Sequence, residues 1–156
     1  MPLRDSFSSA LCECLCQRCQ RGNCKLPLAS CSDGLEILDC DRYKQRYAYT
    51  QPLCDYILFL PRRGLCLAAI EMKEGSIDLS QVVSQIRNAA AIASRIVAKR
   101  SVAAFLPLLV HKGGFHRNEY KLLLSPASRI PFRGKKYRLL DERCGTALAA
   151  ILQKYA

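Results

Sequence analysis

Two apolar strand patterns joined by a tight turn constrain this chain more than any other feature. Residues 54–60 (Cys-Asp-Tyr-Ile-Leu-Phe-Leu) and 65–73 (Leu-Cys-Leu-Ala-Ala-Ile-Glu-Met-Lys) flank the turn signal Pro61-Arg62-Arg63-Gly64. They predict a hairpin whose return strand ends in charge, with Gly75 breaking the pattern. Val82, Ile86, Ala89, Ala93 and Ile96 then recur at steps of three and four. That spacing predicts a helix over roughly 79–99 with one apolar face and Asp78 or Ser80 as its cap. Residues 102–110 follow as a buried strand, in which Pro107 marks a bulge or an edge.

Weaker patterns fill in the rest. Residues 7–21 read as a short helix, opened by Ser8 or Ser9 and closed by Gly22-Asn23. Residues 35–40 read as a strand, and 41–52, with Tyr43, Tyr47 and Tyr49, as a polar connection. Residues 120–124 and 136–140 are strand candidates, and 144–155 a C-terminal helix. The order α-β-β-β-α-β-β-β-α argues for one α/β domain over 1–156, a central mixed sheet flanked by helices. Half of its 156 residues are apolar, enough for a sizeable core. No run of about 18 apolar residues predicts a membrane span. Met1-Pro2-Leu3-Arg4-Asp5-Ser6 lacks the apolar run of an export signal, so a cytoplasmic protein is expected.

Charge divides the chain. Net charge is +11, yet residues 1–78 hold 10 basic and 10 acidic residues. The excess lies wholly in the basic half 79–156, with 14 basic and 3 acidic residues. A polyanionic partner accounts for such asymmetry, because neutralised phosphates release counterions; the plain alternative is a basic soluble surface.

Chemistry enters at Asp55, Glu71 and Lys73. If 54–60 and 65–73 pair, Asp55 starts one strand and Glu71 ends the other beside it. Strand alternation puts Glu71 and Lys73 on one face and Met72 on the other. Two adjacent carboxylates repel, and one protonates unless a cation intervenes. Magnesium suits one or two carboxylates, with water and substrate phosphate completing its shell. Lys73 can then orient or help deprotonate a water whose pKa the metal lowers. The alternative is a solvated strand end with an unrelated Asp.

Asp, a β-hairpin, Glu-x-Lys and a helix, over residues 35–111, resemble the PD-(D/E)XK nuclease superfamily, which includes restriction endonucleases, resolvases and RecB-like exonucleases. The resemblance implies a restriction-endonuclease-like core. It also implies magnesium or manganese held by Asp55, Glu71 and the Met72 carbonyl, with Lys73 catalytic. Gln85, or Gln81 one turn earlier, matches a Gln that many members carry on the following helix. An additional upstream acid has four candidates, Glu13, Glu36, Asp39 and Asp41. The chain departs from the motif at Cys54, where the family's Pro is expected; the nearest is Pro52. Relatives act as dimers or within larger complexes.

The segment 7–40 is rich in cysteine, and the chain holds ten. Without an export signal a disulfide framework is not expected. Cys12, Cys16, Cys19 and Cys24, with Cys31 as a further choice, form a candidate zinc or iron–sulfur site, since Cys16 and Cys19 have zinc-knuckle spacing. The alternative is packing, because on a helix Cys12, Cys16 and Cys19 share one face and free thiols are often buried. Cys54 and Cys66 read as core.

Two basic segments are candidates for nucleic-acid contact. Lys112 and Arg117 flank Gly113-Gly114, where glycine permits close backbone approach to a phosphate; the alternative is a surface loop with two ordinary His, His111 and His116. Arg133, Lys135, Lys136 and Arg138 alternate with apolar and aromatic residues around Gly134 and suit a phosphate-contacting hairpin, or a charged sheet edge. The expected function is a metal-dependent nuclease acting on DNA more than RNA. The other expectation is a non-catalytic nucleic-acid-binding or scaffolding subunit, stabilised by zinc, within a larger complex.

Overall fold

The structure, a computed structural model, describes residues 2–31 and 33–156. The N-terminal segment is not the single helix expected over 7–21. Ser8 accepts from the Leu11 amide and opens α1 (Ser9–Cys12), which stops after one turn. Three short strands follow: β1 (Leu15–Cys16), β2 (Cys19–Arg21) and β3 (Cys24–Leu26). Gly22-Asn23 turns the β2–β3 hairpin instead of ending a helix, with Gly22 at φ 56°. The helical spacing of the cysteines misleads because burial follows strand alternation: Cys24 and Leu26 face inward and Lys25 outward. Cysteine is also a weak helix former, so local propensity does not resist the strands.

β4 (Glu36–Asp39) lies where a strand is expected. Asp39 then accepts from the amides of Asp41 and Arg42 and caps α2 (Cys40–Arg46), a helix within the segment read as a connection. β5 (Tyr56–Pro61) and β6 (Leu65–Lys73) form the expected hairpin, pairing Tyr56 with Ile70 and Pro61 with Leu65. Asp78 caps α3 (Leu79–Ile96), and β7 (Val102–His111) returns parallel to β6.

Residues 120–124 belong to a helix, α4 (Arg117–Leu124), not a strand. Leu123 is buried while Tyr120 and Leu124 are exposed, and Glu119 accepts from the Leu79 amide at 2.8 Å, tying α4 to the start of α3. β8 (Ile130–Phe132) and β9 (Lys135–Tyr137) form a separate hairpin. β10 (Leu140–Arg143) runs parallel to β7, and α5 (Leu148–Tyr155) is shorter than the C-terminal helix expected from 144.

The central sheet has the order β1-β4-β5-β6-β7-β10, antiparallel as far as β6 and parallel from there. It is therefore the mixed α/β sheet expected. Leu65, Leu67 and Ala69 of β6 join the core with Leu79, Val82, Ile86 and Ala89 of α3. Ala68, Ile70 and Met72 join a second core on the other face, with Ile151 and Leu152 of α5 and Cys19 and Cys24 of the β2–β3 hairpin. Cover on both faces explains why β5 to β7 read as continuous apolar runs. Pro107 sits one residue before the β10 ladder begins at Leu108, so its missing N–H falls at an edge. No described helix is long and apolar enough to cross a membrane.

Candidate active site

The β5–β6 hairpin brings the three predicted residues to one end of the sheet. Asp55 immediately precedes β5, and its amide bonds to the Ile70 carbonyl at 2.9 Å. Asp55 Oδ2 then accepts the Met72 amide at 2.8 Å. Glu71 lies between these anchor points, and Lys73 Nζ is 4.0 Å from Glu71 Oε1. Their odd numbers place Glu71 and Lys73 on the α3 face of the sheet, as strand alternation requires.

Glu71 is only 3% exposed, and its Oε2 has no hydrogen-bond partner among the described residues. Burial first, and then the neighbouring Asp55 carboxylate, push its pKa up to about 9. The Gln85 Oε1 on α3 is likewise buried without a partner among the described residues. Two predicted site residues thus carry orphaned buried oxygens, an arrangement that costs free energy unless something else satisfies them.

Met72 is placed to contribute its backbone. Its N–H points toward Asp55, and a residue in a strand presents its N–H and C=O to the same side. The β5–β6 ladder ends at Tyr56–Ile70, so among the described residues that side has no strand partner at Met72.

One residue that matters here was not expected from sequence. Arg21, at the end of β2, donates from Nε to Asp55 Oδ1 at 2.8 Å. Its Nη2 reaches Asp41 Oδ2 at 3.0 Å and lies 3.9 Å from Asp39 Oδ1. The guanidinium also lies 5.0 Å from the Tyr56 ring centroid. Burial opposes the Arg21 charge, but bonding to Asp55 and the surrounding charges outweigh it, so its pKa stands above the ordinary guanidinium value. Asn23, in the hairpin turn, donates from its amide to Glu74, which follows Lys73. The hairpin is thereby tied to the same strand end as the acids. Nothing local to Arg21 predicts this, because its partners lie 20 and 34 positions away.

Arg21 also separates the upstream acids. Asp39 and Asp41 share its guanidinium with Asp55, whereas Glu36 pairs with Phe59 toward the other end of β5, and Glu13 pairs with Arg46 at 2.9 Å. Among the described residues no group of three or more His, Cys, Asp or Glu side chains is arranged to hold a metal ion. Two carboxylates and a carbonyl remain sufficient donors for magnesium, which keeps much of its water.

The cysteines do not assemble as a set. Cys12 ends α1, Cys16 lies in β1 and Cys19 in β2, while Cys24 is disulfide-bonded to Cys144 across 120 positions. That bond departs from the expectation of free thiols and leaves Cys24 without a thiolate for a metal. Burial raises the pKa of the Cys16 and Cys19 thiols and pushes Cys66 up to about 11, which suits packing rather than reactivity. Cys54 and Cys66 are buried, as expected of core.

The predicted phosphate-binding residues divide between the two ends of the sheet. Lys112 follows β7 at the acidic end, where its amide bonds to the Lys73 carbonyl at 3.0 Å, and Arg117 opens α4 there. Arg133 lies at the opposite end and is committed to structure, donating to the Val97 carbonyl at 2.6 Å and the Arg100 carbonyl at 2.5 Å beyond α3. Lys135 and Lys136 follow it in the same hairpin and are exposed, and Arg138 lines a cleft beside Pro107 and Tyr155. A Cβ on Gly113 or Gly114 would meet nothing within 4 Å, so the fold itself does not demand glycine there.

His111 is not the surface residue allowed for in the sequence. It ends β7 beside Lys73, is 3% exposed, and places Nε2 3.2 Å from Asp141 Oδ2 and Nδ1 against the Gly113 carbonyl. Both ring nitrogens of His111 therefore face oxygen atoms. Hydrogen bonding to His111 lowers the Asp141 pKa. No protein-family model, curated protein or solved structure matches the chain.

Proposed function

We propose that this chain is a divalent-metal-dependent nuclease with a restriction-endonuclease-like core, hydrolysing phosphodiester bonds of DNA in preference to RNA. One observation carries the reading: Asp55 and the buried Glu71 meet at a strand end, where one Glu71 oxygen has no hydrogen-bond partner among the described residues and burial beside Asp55 pushes the Glu71 pKa up to about 9, a conflict that a cation relieves. The run β4, β5, β6, α3 and parallel β7 supports it, as do the positions of Lys73 and Gln85 on the α3 side.

Asp55, Glu71 and the Met72 carbonyl would hold magnesium or manganese. The bound ion would lower the pKa of a water and offset charge on the phosphate. Lys73, half-buried beside Glu71, orients the attacking water. Lys112 and Arg117 hold the phosphodiester backbone at this end.

A second reading, a non-catalytic nucleic-acid-binding subunit, draws on a specific contact. Arg21 already neutralises Asp55, and a site balanced by its own arginine needs no metal. Hydrolysis of labelled DNA and RNA by wild type and Lys73→Ala, in magnesium, manganese or EDTA, separates the two. The nuclease reading expects metal-dependent cleavage by wild type that falls roughly 100-fold or more in the variant. Equal activity in both proteins removes Lys73 from the chemistry, and absence of cleavage under every condition favours the second reading.

A further inference from the structure

We propose that the cleft at Arg62, Arg63 and Arg100 is a second binding site for a nucleic-acid phosphodiester backbone, at the opposite end of the central sheet from Asp55 and Glu71. The proposal does not require the acidic site to be catalytic. β6 runs from Leu65, beside this cleft, to Lys73 at the acids, which separates the two by roughly 26 Å of strand.

The cleft has a volume of about 530 Å³. Buried Leu3 and Leu65 line it together with the three arginines and Ser101. Among the described residues no carboxylate lines it. Among the described residues, none of the three guanidiniums has an ion-pair or side-chain hydrogen-bond partner. Three exposed arginines line one concavity, and like charges gathered there favour an anion. Guanidinium forks also match phosphate oxygens in geometry.

The surrounding backbone is held in place. Arg63 adopts φ 47°, the left-handed region that residues with a side chain seldom occupy, and Gly64 follows at φ 103°. A Cβ on Gly64 would lie 2.9 Å from the Ala103 side chain, so the turn abuts the start of β7. Arg133 bonds the carbonyls of Val97 and Arg100 and fixes the segment that carries Arg100. The arginines therefore project from a braced turn and a braced helix end.

Extent favours a polymer over a free phosphate. A second cleft of about 540 Å³ shares Pro61 and Arg62 with the first and continues across the hairpin tip, carrying Ser30, Gln153 and one acid, Asp33. Exposed Lys135 and Lys136 stand in the hairpin that Arg133 anchors to Arg100. A single phosphate would engage only part of this surface.

The test is fluorescence anisotropy with labelled duplex and single-stranded oligonucleotides, in EDTA, over a salt series. Wild type is compared with the triple variant Arg62→Ala/Arg63→Ala/Arg100→Ala, and with Arg62→Lys/Arg63→Lys/Arg100→Lys, which keeps the charge. For duplex, loss of three phosphate contacts lowers the magnitude of the log K against log salt slope by about 3. We expect that change and at least tenfold weaker binding in the alanine variant, with most of the slope restored in the lysine variant. Unchanged affinity and slope in a folded alanine variant overturn the proposal, as does no binding by wild type. Competition by millimolar inorganic phosphate with unchanged oligonucleotide affinity in the alanine variant assigns the cleft to free phosphate and also overturns it. Absence of metal-dependent cleavage by wild type, with the slope difference intact, counts against the nuclease reading alone.

Discussion

Replacing Glu71 by glutamine should make the metal-free protein more stable at neutral pH. The reason lies in where the proton goes. In the unfolded chain Glu71 ionises near the ordinary value of 4.5, whereas in the folded chain burial and Asp55 raise its pKa to about 9. Below pH 4.5 both states hold the proton and the shift has no effect on stability. Between 4.5 and 9 folding must take up a proton, so stability falls as pH rises. At pH 7 that uptake costs about 3 kcal/mol, at roughly 1.4 kcal/mol for each pH unit above 4.5. Glutamine has no proton to gain, and its amide can donate to Asp55 as a neutral carboxyl does. Urea unfolding in EDTA at several pH values between 4.5 and 8 reads the difference. The variant should match wild type near pH 4.5 and exceed it by about 3 kcal/mol at pH 7. If the site takes magnesium as proposed, excess magnesium should stabilise wild type more than the variant, because glutamine removes one of the two carboxylates that would hold the ion. A variant less stable than wild type by the same amount at every pH would show that Glu71 is ionised in the folded chain, and the argument for a cation would fail.

Three further outcomes follow from individual contacts. Arg21→Ala should raise manganese affinity about tenfold in calorimetry, since the guanidinium and the ion compete for Asp55 and tenfold corresponds to about 1.4 kcal/mol; unchanged or weaker binding would mean that Arg21 does not obstruct the site. Arg133→Ala should cost about 1 kcal/mol in denaturant unfolding by removing its bonds to the Val97 and Arg100 carbonyls beyond α3; unchanged stability would mean that these bonds do not hold the segment. Reducing the Cys24–Cys144 bond should lower stability by about 2–4 kcal/mol, because it closes a loop spanning 120 positions, and a reductant-independent melting temperature would contradict that.

Local pattern settled the centre of the molecule. The β5–β6 hairpin, its polar turn, the capped amphipathic α3 and the buried β7 follow from strand runs and helical spacing, because long regular elements repeat their signal many times. The meeting of Asp55, Glu71 and Lys73 also follows, since a hairpin of known turn fixes its own register. Short elements escaped this logic. The Cys12–Cys16–Cys19 spacing fits a helix face, yet α1 ends at Cys12, and Cys16 and Cys19 lie in strands that pack with β6, β7 and α5, which sequence spacing does not contain. The segment at 120–124 is rich in leucine, but its helix depends in part on Glu119 meeting α3, 40 positions away.

The sequence by itself therefore determined which acids and which lysine share a strand end, because a hairpin is local. Tertiary structure decided what surrounds them. It placed Arg21 on Asp55, buried His111 against Asp141, spent Arg133 on the end of α3 and moved the 130s hairpin to the opposite end of the sheet. Each is a contact between residues more than 25 positions apart, and electrostatic pairing at that range is set by how layers pack rather than by any spacing along the chain.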